Sequence, residues 1–149
     1  MEFIRKAEQK DLCRIAEILV FDKRMKYRSI FHDDAYSFNT MQVVSVIEEY
    51  NKSDILSSIY VYDDGIVKGM IHIKEYEIAE LYVDYFFHGE GIGSTLITFA
   101  KERFQCKFLW VLEKNMDAIG FYQKQGFSFT EERKLVENTN EYVIKMKCR

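Results

Sequence analysis

Proline is absent from all 149 residues, so every break in regular structure falls to Gly, Asn or Asp. Cysteine is scarce: Cys13, Cys106 and Cys148 are odd in number and share no metal-ligand spacing. That argues against a disulfide framework or a metal site and reads as reduced thiols. No apolar run reaches membrane-spanning length, and Met1 to Lys6 hold no apolar leader-like stretch. No membrane partner is therefore expected, and the cytoplasm is the expected compartment. Basic residues do not collect: 21 Lys and Arg against 24 Asp and Glu leave −3, with no basic stripe. This argues against nucleic acid as the main partner. Repeats, linkers and low-complexity segments are also lacking, so residues 1–149 read as a single domain.

What is present is an ordinary soluble composition, 48% hydrophobic and 30% charged. Chains near this length bury about two-thirds of their unfolded surface, enough for a real core. Aromatics are plentiful, with 12 Phe and 10 Tyr, so any one Tyr is more often packing than chemistry. Residues 2–6 read as a short strand, and Leu12, Ile15, Ala16 and Leu19 give Gln9 to Val20 a helical period. The charged stretch from Asp22 to Asn39 reads as a loop or irregular helix, long enough to carry a binding site. Val43, Ile47 and Tyr50 mark a second helix.

The period then changes. Residues 59–62 and 66–74 are strand-like around Asp63-Asp64-Gly65, a hairpin signal. A third strand covers 77–83. Ile92, Leu96, Phe99, Ala100 and Phe104 mark an amphipathic helix. Phe108 to Leu112 is a continuous apolar run, as in a strand buried on both faces. Asn115 is a plausible N-cap for a helix that Gly126 ends, and residues 127–134 and 142–147 form a closing hairpin. The order β-α-α-β-β-β-α-β-α-β-β predicts an α/β fold with a mixed, mostly antiparallel twisted sheet flanked by helices.

The most informative segment is His88-Gly89-Glu90-Gly91-Ile92-Gly93, between the third strand and the amphipathic helix. Clustered glycines let a ligand approach main-chain N–H groups. A helix start adds unpaired N–H groups and a partial positive charge. Together these suit a phosphorylated ligand, while a plain tight turn stays open as the alternative. A dinucleotide loop needs Gly-x-Gly-x-x-Gly. From Gly89 the chain reads Gly-Glu-Gly-Ile-Gly-Ser, with the third glycine one residue early. Glu113 lies about where a ribose-binding acid would be, but there is no room for a doubly wound sheet.

Downstream, Asn115, Ala118, Phe121, Tyr122, Gly126 and Phe127 fit the pattern Asn-x-x-Ala-x-x-Phe-Tyr-x-x-x-Gly-Phe at every fixed position. With Gly91 and Gly93 of the loop, the chain resembles the GNAT family of acyl-CoA N-acetyltransferases. The resemblance covers essentially the whole chain, including Ile4-Arg5-Lys6-Ala7 and Asp11 at the opening. His88 stands where the family usually has Gln or Arg, and a neutral His offers a diphosphate less charge than Arg. Tyr85 stands where proline is frequent.

The resemblance implies transfer of an acetyl group from acetyl-CoA to a primary amine, in a ternary complex and without a metal. It places the diphosphate on the loop from His88 and Gly89 through Glu90, Gly91, Ile92 and Gly93 to Ser94. It places the pantetheine arm along Leu81, Tyr82 and Val83, with Asn115, Phe121 and Tyr122 beside it. Asn115 as a simple N-cap is not exclusive of that role. The strand 77–83 has no cleanly apolar face, as a bulge would produce, although burial on both sides would read the same. By the same resemblance the Val83 N–H steadies the oxyanion and Tyr122 protonates the leaving thiolate. A phenol with a reference pKa of about 10 holds that proton at neutral pH. For the base that frees the amine, Glu77, nearby Glu80 and a water relay remain open.

Cys106 reads as core and His72 as a solvent-side strand residue, and His32, Asp33 and Asp34 are candidates to line the acceptor pocket. The acceptor is a small molecule or a protein amine, and a homodimer is possible. The other class that fits is a non-catalytic acyl-CoA-binding sensor.

Overall fold

Ile59, Val61, Met70 and Ile71 expose no surface, and they mark the middle of a seven-stranded sheet. The computed structural model describes residues 2–31 and 43–149, with the backbone alone described for 23–31 and 43. His32, Asp33 and Asp34 lie outside the described residues.

The strands are β1 (Ile4–Lys6), β2 (Ile59–Asp63), β3 (Val67–Lys74), β4 (Glu77–Val83), β5 (Phe108–Leu112), β6 (Ser128–Leu135) and β7 (Tyr142–Lys147). Their order in the sheet is β1-β2-β3-β4-β5-β7-β6. Neighbours pair antiparallel except β4 and β5, which run parallel at the seam between two antiparallel groups. This is the mixed, mostly antiparallel sheet that the element order predicts. The β2–β3 hairpin turns at Gly65, whose N–H donates to Asp63 Oδ1 at 3.0 Å.

Helices cover both faces. Successive strand residues point to opposite sides, so Ile59, Val61 and Met70 pack with Leu12, Ile15 and Leu19 of helix α1 (Leu12–Phe31) and Tyr50 of α2 (Val43–Tyr50). Ile71, Ile73 and Ile78 pack on the other side, with Leu96 and Ile97 of α4 (Ile92–Phe104) and Ile119 of α5 (Met116–Lys124). Each such aliphatic side chain, moved from water into the core, contributes about 1.5–3 kcal/mol. Cys106 is buried in the same cluster, as expected.

Two elements differ from the expectation. Helix α1 runs on to Phe31, through part of the stretch read as a loop or irregular helix, and is continuous there because residues 12–31 contain neither Gly nor Pro. Clustered charge alone does not end a helix. A short α3 (Ser53–Leu56) also precedes β2. Among the described residues no helix is long and apolar enough to cross a membrane.

The corner between β1 and α1 is held by ions. Arg5 Nη1 and Nη2 donate to Asp11 Oδ2 and Oδ1 at 2.8 and 2.9 Å, and Arg5 Nε donates to Asp63 at 3.1 Å. Asp11 also accepts from the Glu8 N–H at 2.8 Å.

Candidate active site

A register change in β4 opens the site. His72 of β3 faces Glu80, but its neighbour Ile73 faces Ile78, so Ala79 is an extra residue on β4. Such a bulge reverses the side-chain alternation. Ile78, Leu81 and Val83 therefore all pack with the α4 and α5 cluster, while Tyr82 packs with the α1 and α2 cluster. Pairing between β4 and β5 is confined to Glu77–Phe108 and Ile78–Leu109. Past the bulge, β4 diverges from β5 and leaves a wedge.

Two cavities fill this wedge. The larger, about 470 Å³, runs from the glycine loop to Tyr122. The smaller, about 250 Å³, lies between the diverging strands, from Glu80 to Trp110 and Asn115. Both are lined by Asp22, Leu81, Tyr82, Ala118 and Tyr122, so they meet at the phenol.

The loop is shaped for an anion. Gly91 is the N-cap of α4 at φ 81°, a left-handed conformation that favours glycine, and it brings no side chain to cap the helix. The first N–H groups of a 13-residue helix thus face the larger cavity without a side-chain acceptor. Gly93 sits against Phe121: a Cβ there would meet the ring Cζ at 3.0 Å. His88 Nε2 lies 2.9 Å from the Val83 carbonyl oxygen, which can only accept, so Nε2 carries the proton. The turn before the loop is held from outside by Arg14, which pairs with Asp84 and donates Nε–H to the Val67 carbonyl at 2.9 Å. Burial works to raise the Asp84 carboxyl, but the Phe86 N–H and Arg14 hold it below its ordinary range.

The structure gathers most of the residues singled out in the sequence. Leu81, Tyr82, Val83, His88 and Gly89 line the larger cavity, as do Gly91, Ile92, Gly93 and Ser94 at the helix start. Phe121 and Tyr122 close its far end. Asn115 lines the smaller cavity and also caps α5, with Oδ1 accepting the Ala118 N–H at 3.2 Å. Glu90 is exposed and lines neither cavity. Glu77 sits on the paired stretch at the closed end of the wedge and also lines neither. Tyr122 is pushed up to about 12 by burial, with the charge of Asp22 adding to the effect, so its proton is firmly held at neutral pH.

Three polar groups of the site escaped the sequence reading. Asp22 is a buried carboxylate shared by both cavities. The sign was there: it follows Ile15 and Leu19 at helical spacing, on the buried stripe of α1. Tyr50, the last residue of α2, donates its hydroxyl to Glu80 Oε1. His72 is not on the solvent side; α2 covers that face, and the Tyr50 and His72 rings lie 6.5 Å apart.

Comparisons with known proteins agree with this geometry. The acetyltransferase (GNAT) domain family matches residues 56–129, which include β4, the glycine loop and Tyr122. The peptidyl-lysine N-acetyltransferase YiaC of Escherichia coli is 34% identical over 70 residues, covering 46% of this chain and 48% of that protein. The chain spans less than half the length of the curated relatives it matches. In shape, apo YjaB from Escherichia coli superposes with a TM-score of 0.77 at 19% identity, covering 97% of this chain and 95% of that one. The paia N-acetyltransferase of Thermoplasma acidophilum, in complex with coenzyme A, superposes with a TM-score of 0.68 at 19% identity, covering 97% of each chain. Fold, loop and family match converge, and the chain belongs to the GNAT acetyltransferase family.

Proposed function

We propose that this protein is an N-acetyltransferase that moves an acetyl group from acetyl-CoA to a primary amine by direct attack in a ternary complex. The observation that carries the reading is the position of Tyr122, where a cavity ending in an uncapped helix N-terminus meets a second cavity between diverging strands.

The donor supplies an activated thioester. The N–H groups from Gly91 to Ser94 would hold its diphosphate. The open edge of β4 from Leu81 to Val83 offers hydrogen bonds to an amide-bearing arm, and Phe121 and Asn115 border the path. The Val83 N–H is the donor proposed for the oxyanion, and the His88 bond to the Val83 carbonyl anchors the next peptide along, between Val83 and Asp84. Tyr122, protonated at neutral pH, gives its proton to the departing sulfur. A lysine side-chain amine is the first acceptor to try, given what the relative YiaC acts on.

Mass spectrometry of reactions with acetyl-CoA and a panel of amines and lysyl peptides tests the activity. An acetylated product establishes it. Acetyl-CoA binding with no product from any amine points instead to a sensor. Tyr122→Phe tests the acid: turnover should fall about 100-fold with acetyl-CoA affinity unchanged. Full turnover in that variant removes Tyr122 from the role.

A further inference from the structure

On one side of the sheet the helical cover stops short. The cluster built by α1 and α2 takes in β2, β3 and Tyr82 of β4, and among the described residues it includes none of β5, β7 or β6. The other side of β5 and β7 is filled, with Leu109, Val111 and Met146 in the core beside α4 and α5. Alternation turns Phe108 and Trp110 of β5 away from that core. Directly paired residues share a face, so Lys147 stands beside Phe108 and Lys145 beside Trp110. Leu112 pairs with Val143, and Val143 with Lys134 of β6, which puts Lys134 on the same side.

Lysines and aromatic rings therefore share this face. Lys134 Nζ stands 4.1 Å from the Trp110 ring centre, and Lys145 Nζ stands 6.0 Å from it and 4.3 Å from that of Phe108. A ring face attracts a cation and helps to hold it in place. Lys145 is paired with Glu132 at 3.2 Å, whereas Lys134 is exposed and has no carboxylate partner among the described residues. The face is thus cationic on a chain whose net charge is −3. Trp110 is also a wall of the smaller cavity, which meets the larger one at Tyr122. The lysines begin where an amine bound for Tyr122 would enter.

We propose that the face of β5, β7 and β6 holds the polypeptide that carries the acceptor lysine, and that Lys134 selects acidic side chains flanking that lysine. The proposal rests on the acetyltransferase reading above. The amine points down the smaller cavity to Tyr122, while the chain beside it runs over the sheet. Strands lie about 4.8 Å apart, so β5 to β6 spans about 10 Å, the reach of about three extended residues. Carboxylates within about three residues of the lysine would then meet Lys134, with Lys145 and Lys147 adding to the attraction. A rim charge of this kind acts on encounter and on KM rather than on the chemical step. Nucleic acid, the other ligand of basic and aromatic faces, brings no aliphatic amine to the cavity and fits the site less well.

The test is thiol release with a lysyl peptide that has Glu at every position within about three residues of the lysine, against its Gln counterpart. Wild type should favour the Glu peptide by about tenfold in kcat/KM, through KM, and lose most of that preference in about 0.5 M salt. Lys134→Glu should abolish the preference, and Lys134→Met, which keeps a side chain against the indole, should reduce it about threefold. Lys6→Glu makes the same change of charge on β1, at the opposite edge of the sheet, and should keep the preference. Acetyl-CoA affinity and thermal midpoint check that each variant is folded. Equal rates with the two peptides for wild type, or a preference that survives in both Lys134 variants, overturns the proposal and leaves the acetyltransferase standing. Acetylation of small amines but of neither peptide does the same. Tighter binding of a single-stranded oligonucleotide than of the Glu peptide overturns it too, and assigns the face to nucleic acid. If wild type binds acetyl-CoA but releases no thiol with any amine, the acetyltransferase reading itself falls. Calorimetry of the two peptides with wild type and Lys134→Glu then decides the face without turnover.

Discussion

Asp11 is nearly shut off from water, yet it stays ionised because Arg5 grips both of its oxygens. The Arg5 hydrogen bond, opposed by burial and helped by the Glu8 N–H, holds its carboxyl below the ordinary range. A folded-state value below the unfolded one of about 3.9 adds stability that is complete above that pH. It fades as acid protonates the folded carboxyl. Asp11→Asn should therefore cost about 3 kcal/mol near neutrality and much less well below about pH 3, measured by urea unfolding at each pH. A pH-independent difference would show that the carboxylate's charge is not what Asn lacks. Cys106 offers a simpler test: burial, with Cys148 adding, pushes its thiol up to about 11. At neutral pH iodoacetamide should label exposed Cys13 well before Cys106, as peptide mapping would reveal. Residues of this kind divide by how far they could be read in sequence. Tyr122 and Asn115 lie within a contiguous pattern and announce themselves. Glu80 was a candidate from the sequence, but its meeting with His72 was not legible, because it depends on which face a bulge turns it to.

Helix α4 begins where two glycines are needed for different reasons. Gly91 sits at positive φ, and Gly93 leaves space for the Phe121 ring. Gly93→Ala would press on the Phe121 ring, which must give by a few tenths of an ångström at the wall of the larger cavity, so acetyl-CoA affinity should fall about tenfold while secondary structure persists, read by calorimetry and circular dichroism. Unchanged affinity would mean that the ring yields elsewhere. The bulge in β4 is the other decisive local feature. Deleting Ala79 restores plain alternation and takes Glu80 out of its register with His72. The variant should lose turnover, because β4 leaves β5 just past this bulge. Element by element, the chain was largely legible: the turn into α4 at the clustered glycines, the Asn115 cap, the Asp64-Gly65 hairpin and the buried stripe of α4 all stand as read. The far half of α1 was not. Its charges left a loop and an irregular helix both open, and only the absence of a breaker between 12 and 31 favoured the continuous helix. The failed alternation along 77–83 hinted at the bulge, but the residue that bulges is set by pairing with β3, a partner that the strand's own sequence does not name.

Across the whole molecule, the sheet is two antiparallel groups joined at a parallel seam of two residue pairs. A donor lying in the wedge would touch β4, the start of α4 and α5 together, and so bind the folded state across its weakest joint. At about 100 times the dissociation constant this adds about 2.7 kcal/mol. For a chain of this size the thermal midpoint should rise by about 5–10 °C with acetyl-CoA, as scanning fluorimetry would detect. No shift at saturating ligand would argue that the wedge is not the donor site. One further feature of that wedge is of practical use. Trp110 is the chain's single tryptophan, it lines the smaller cavity, and Lys134 Nζ stands 4.1 Å from its ring centre. The indole is thus a built-in optical gauge. Excited at wavelengths where the 12 Phe and 10 Tyr stay dark, its emission would shift in colour and intensity as the smaller cavity fills, reporting occupancy of the unlabelled protein in real time.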